Sequence, residues 1–128
     1  MELEKFVSSM MEMSVMGRLW HWSTDTAQHH VTFETFLKEN EMLTDSIVES
    51  SLGYDIKINL SKVGVNGALG GEYSIENARK TISDYRSKIH GFKKELESND
   101  ENFSIELDAI LDDATELCSK TLYLLRLS

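Results

Sequence analysis

WHWSTDTAQHHVTFETFLKENEMLTDSIVESSLG, residues 20–53, contains both tryptophans and three of the four histidines of the chain. Its polar residues are ordered rather than scattered. An α-helix advances about 100° and about 1.5 Å per residue. Measured from His30, Glu34 lies at about 40°, Asp45 at about 60° and Glu49 at about 100°. All four therefore share one sector of a helix that the apolar positions Phe33, Phe36, Leu37, Leu43 and Ile47 predict over about 26–52, with Gly53 as its stop. Ser23, Thr24 and Asp25 form the break before it, and Asp25 with Gln28 has the spacing of a capping box.

Working outward, residues 2–22 predict a preceding helix. Leu3, Phe6, Met10, Met13, Gly17 and Trp20 recur at three- and four-residue spacing, and Val7, Met11, Val15, Leu19 and Trp22 widen that face. So short a break makes the two helices an antiparallel hairpin. Residues 54–73 lack a helical period and are rich in glycine, and Ile56, Ile58 and Leu60 allow only a brief extended piece. Extended, such a segment covers more than about 40 Å. It suits a crossover along the length of a bundle, which makes the second and third helices parallel.

Ser74 caps a third helix over 74–97, whose Ile75, Ala78, Ile82, Tyr85, Ile89, Phe92 and Leu96 keep a 3-4 rhythm. Ser98, Asn99 and Asp100 close it. A fourth helix is predicted over 104–126 with a stripe of Phe103, Leu107, Ile110, Ala114, Leu117, Thr121 and Leu124. The expectation is one all-α domain spanning 1–128, a four-helix bundle with a long crossover between its second and third helices. The absence of proline agrees with that class.

Composition narrows the function. With 128 residues, 41% hydrophobic, the chain can bury one core. A net charge of −9 and a pI near 4.8 argue against binding nucleic acid, and leave cations or a basic protein partner as what an acidic surface attracts. The single cysteine, Cys118, sits among leucines and reads as a buried small hydrophobe in a reducing compartment. No apolar run is long enough for a membrane span, so a cytoplasmic location is expected. Gly64, Gly67, Gly70 and Gly71 do not form a phosphate-binding loop, and no nucleophile elbow gathers Ser, His and Asp. His90, Lys93 and Lys94 read as boundary and solvated positions, and His29 and His30 could equally be surface residues at a helix start.

The spacing of the acids carries the functional reading. Asp45 and Glu49 stand at i, i+4, so both can reach one ion, and His30 with Glu34 is the matching pair. The two pairs are about 22 Å apart along the helix and cannot serve one metal within one chain. Two copies packed antiparallel across a twofold axis would bring the acid pair of one to the histidine pair of the other, making two identical sites. His21 sits across the hairpin from His30. Imidazole and carboxylate together suit iron, manganese or zinc.

The stretch LWHWST…H…F…TDSIVES resembles the helix A–helix B signature of Dps-like proteins, the miniferritins of the ferritin-like superfamily. His21-Trp22, His30, Glu34, Asp45 and Glu49 match its elements in order, and 84–96 and 119–128 look like its third and fourth helices. The resemblance implies a ferritin-like bundle, metal ligands at His21, His30, Glu34, Asp45 and Glu49, iron oxidation at a twofold dimer interface, and a shell-like higher oligomer. The sequence departs from the family in a shorter turn between His21 and His30, in Glu34 where aspartate is usual, and in lacking a basic tail. A similar LWHWST-type stretch in small phage proteins implies a second possibility. That alternative is a phage-encoded, non-enzymatic helical-bundle protein of the host cytoplasm, which keeps the fold and meets a protein partner through its acidic surface.

Overall fold

The computed structural model describes residues 2–96 and 101–127, with Glu101 described by its backbone only. These form α1 (Leu3–Ser23), α2 (Ala27–Gly53), a short 3₁₀ turn (Leu60–Lys62), α3 (Ile75–Leu96) and α4 (Glu101–Arg126). Among the described residues there is no strand. Among the described residues, no helix is long and apolar enough to cross a membrane. The expected closing residues of α3, Ser98 to Asp100, lie outside the described residues.

Ends of helices deviate from expectation for identifiable reasons. The N-cap of α2 is Thr26, whose side chain accepts from the His29 amide at 3.3 Å, and not Asp25. Gly53 stays helical. The residue in the left-handed conformation is Asp55, at φ 58, which a short polar side chain tolerates. Ser74 does accept from the Asn77 amide at 3.0 Å, as an N-cap should. The fourth helix begins at Glu101 rather than Ser104, because the Ser104 hydroxyl is turned back to donate to the Leu96 carbonyl at 2.6 Å, satisfying the end of α3.

The core is one cluster drawn from all four helices. Phe6 of α1 and Phe92 of α3 stack with centroids 4.1 Å apart, and Trp20 tilts against Phe33 at 5.5 Å. On α4 the buried stripe runs through Phe103, Leu107, Leu111, Ala114, Leu117, Cys118, Thr121 and Leu125. The expected Ile110 is only half-buried and Leu124 is exposed, so the core face is rotated toward 111, 118 and 125. Lys93, expected to be solvated, pairs with Asp112 across the α3–α4 seam.

Two features fix α1 against α2. Gly17 is needed for close approach: a Cβ there would lie 3.1 Å from Leu37 Cβ. Asn40 is fully buried and fully used. Its amide nitrogen donates to the Met10 carbonyl and to Ser14 Oγ, both at 2.8 Å, and its oxygen accepts from the Tyr85 hydroxyl at 2.6 Å. One side chain thus ties α1, α2 and α3 through bonds that no water can replace.

The segment between α2 and α3 lies against α1. The Asn59 amide donates to Glu4 Oε2 at 3.0 Å, and the Gly64 amide donates to Ser8 Oγ at 3.1 Å. Gly70 approaches Leu19, and the Tyr73 ring meets Phe33 edge-on at 6.1 Å.

Asn40→Ala would strand the Tyr85 hydroxyl and take the donor from Ser14 Oγ, so it should destabilise by about 2–4 kcal/mol in denaturant melts, more than Tyr85→Phe. Burial pushes the Cys118 thiol from 9.0 up to about 12 and raises Tyr85 in the same direction. Both folded values are raised, so this stability is fully present below the unfolded values and is lost as pH climbs through them. Chemical denaturation should show stability falling between pH 9 and pH 12, with a shallower fall in Cys118→Ala.

Candidate metal half-site and the groove beside it

The turn between α1 and α2 leaves orphan carbonyls at the end of α1. The two histidines flanking it bond to each other's backbone, and His30 thereby satisfies one of those carbonyls. His21 Nδ1 donates to the His30 carbonyl at 2.8 Å, and His30 Nδ1 donates to the His21 carbonyl at 2.8 Å. The rings stack with centroids 3.7 Å apart and 24° between planes. His21 is buried and His30 is exposed. A carbonyl oxygen can only accept, so Nδ1 carries the hydrogen in each neutral ring and Nε2 keeps the lone pair. Backbone carbonyls fix metal-binding imidazoles in the same way. The short turn, only three residues between helices, is what permits this mutual grip.

Glu34 stands one turn along α2 from His30. Its carboxyl is held below the usual range, chiefly by the hydrogen-bonded Lys38 ammonium at 2.9 Å and to a lesser degree by His21 and His30. His29, which could have been a surface residue, is instead buried against Phe33, and its Nε2 has no partner among the described residues.

Asp45 and Glu49 are exposed, about four turns further along α2. Of the five expected ligands, one chain therefore brings together His21 and His30, sets Glu34 within their electrostatic reach, and leaves the acid pair remote. Among the described residues, no three His, Cys, Asp or Glu side chains of one chain form a group able to hold a metal ion.

Between the outer faces of α1 and α2 runs a groove of about 820 Å³. Met11, Val15, Trp22 and Val48 form its walls, Leu60 and Val63 close one side, and Asp45 lines it. The sequence reading had Met11, Val15 and Trp22 widening the core face. They do not reach the core: Trp22 is 69% exposed and Met11 and Val15 are exposed as well. A helix apolar over more than one face was the signal for this second surface.

Compared with known proteins, the chain matches no family model, no curated protein and no solved structure.

The mutual grip predicts an asymmetric cost. His21→Ala removes a buried ring, its bond and the stack, and should destabilise by about 2–3 kcal/mol. His30→Ala removes the same stack and one bond but only an exposed ring, and should cost about 1 kcal/mol. Thermal or denaturant unfolding of the two variants measures the difference.

Proposed function

We propose that this protein is a Dps-like, ferritin-like metal-binding protein that takes Fe(II) as substrate at sites shared between two copies of the chain. The single observation carrying this is the reciprocal His21–His30 grip. It presents two imidazoles with their Nδ1 atoms already occupied by carbonyls and their Nε2 atoms left as donors to a metal. That donor set fits iron, and equally manganese or zinc.

Two imidazoles and one lysine-bound carboxylate are too few for an iron site. The acids that would complete it, Asp45 and Glu49, lie too far along the same helix to come from the same chain. A partner running antiparallel supplies them, and a twofold axis then gives two equal sites. His21, His30 and Glu34 of one copy face Asp45 and Glu49 of the other. The exposed apolar groove beside Asp45 supports a face that is covered in the assembly. The homodimer is the minimal unit of this reading, with a shell-like oligomer built from it. Bound iron would supply the one-electron chemistry. The chain's part is to hold the imidazoles in one tautomer and to bring charge-balancing carboxylates to the opposite side.

The contacts of the 54–74 segment with Glu4, Ser8, Leu19 and Phe33 support a crossover that follows α1 from one end to the other. Stacking of Phe6 on Phe92 supports parallel α2 and α3. Both belong to the ferritin-like arrangement.

A second reading is favoured by the same groove. A non-enzymatic helical protein, phage-encoded and working in the host cytoplasm, would use its exposed apolar and acidic surface on a protein partner and bind no metal. Anaerobic titration separates the two. With Fe(II), or with Co(II) as a coloured substitute, saturation at one metal per chain is expected. Asp45→Ala/Glu49→Ala should lose it while keeping its helical circular dichroism. Addition of peroxide should then oxidise the bound iron. The absence of saturable binding in the folded wild-type protein would refute the first reading.

A further inference from the structure

Charge is unevenly distributed over this acidic chain. Between Ile75 and Leu96, α3 has six lysines and arginines (79, 80, 86, 88, 93, 94) against three acids (76, 84, 95), a balance of +3 on a chain of −9. Three of the four arginines, Arg79, Arg86 and Arg126, line one groove of about 550 Å³ between α3 and α4.

The register of the two helices sets these arginines in two tiers. Arg86 Nη1 donates to Ser119 Oγ at 3.0 Å, and Lys93 pairs with Asp112. Each partner is displaced by seven residues between the two contacts, in opposite directions, so α3 and α4 are antiparallel. One further step of seven sets Arg79 level with Arg126. Arg79 and Arg126 thus stand level on the two sides of the groove, and Arg86 stands seven residues, about 10 Å of helix rise, along it. Among the described residues no carboxylate forms an ion pair with any of the three. Lys80 is paired with Asp84 at 3.0 Å, and Arg126 rests over the Tyr123 ring at 5.6 Å. Among the described residues, Glu76 is the one carboxylate that lines the groove.

Like charges held level across a seam repel, and here 22 acids were at hand in the chain to neutralise them. Guanidiniums are planar forks suited to the oxygens of phosphate. Ser119 and Tyr123 add hydroxyls to the same wall. We propose that the α3–α4 groove binds a linear oligophosphate, with one phosphoryl group between Arg79 and Arg126 and another at Arg86 and Ser119. The two tiers are too far apart for a single orthophosphate to bridge. The site is on the opposite pair of helices from His21, His30 and Asp45, and does not depend on the metal reading.

Isothermal titration with inorganic triphosphate at about 50 mM salt tests this. One triphosphate per chain is expected, bound about tenfold more tightly than orthophosphate and weakened as salt rises. Arg79→Gln/Arg126→Gln should weaken binding by about tenfold or more, and Arg86→Gln alone by less. Lys120→Gln, which removes a cation already paired with Glu116, should change nothing. The single Arg86→Gln variant keeps the test decisive if the double variant fails to fold. ATP is the second arm. Affinity equal to triphosphate identifies a free phosphate chain as the ligand, and tighter binding identifies a nucleotide whose base adds contacts beside Tyr123. Absence of saturable binding, orthophosphate binding as tightly as triphosphate, or affinity unchanged in the arginine variants would overturn the proposal.

Discussion

Everything in this fold depends on α1 lying hard against α2. Three contacts at successive levels hold them. Half-way along α2, the Asn40 amide reaches the Met10 carbonyl and Ser14. About one turn nearer the hairpin, Gly17 lets the Leu37 Cβ come to where a side chain would otherwise stand. At the hairpin end, His21 and His30 exchange hydrogen bonds with each other's carbonyls. Each contact spends polar or conformational capacity to bring two backbones close. Buried polar groups of this sort stabilise only when every bond is made, which is why Asn40 also carries Tyr85 and so recruits α3.

The same pairing separates two kinds of surface. Because the inner stripe of α1 is engaged by Phe33, Phe36 and Leu37 of α2 and by Phe92 of α3, the remaining apolar residues Met11, Val15 and Trp22 face outward beside Asp45. Because the hairpin turn is so short, the two histidines meet at its end and not in the core. The histidine pair and the exposed apolar groove on one hairpin are two consequences of one close packing. On the far side, α3 and α4 need no such approach. Their seam has room for long side chains, and the arginines collect there.

The four helices were legible because period and chain punctuation are local properties. The 3-4 rhythm of α3 and the Ser74 cap needed no tertiary information. What was not legible came from competition between equal local choices. On α4, Ile110 or Leu111 could face inward, and Leu124 or Leu125. Only the position of the neighbouring helices selects 111 and 125. Ser104 had the chemistry of a cap for its own helix and was captured instead by the Leu96 carbonyl. In the candidate site, the proximity of His21 to His30 followed from the hairpin. The bonding did not, since it runs through backbone carbonyls that a sequence does not display. Nor was the burial of His29 foreseeable from a position one residue away from an exposed histidine.

The central claim is quaternary: histidines of one copy and acids of another make one site. Mixing subunits tests it most directly. His30→Ala chains keep Asp45 and Glu49, and Asp45→Ala/Glu49→Ala chains keep His21 and His30. Each protein alone should bind no Co(II) to saturation. After subunit exchange, confirmed by mass, half the dimers are mixed and each has one complete site of two. The mixture should therefore recover about a quarter of the wild-type Co(II) capacity. A mixture that exchanges subunits and recovers none, or a parent that binds like the wild type by itself, would contradict the account.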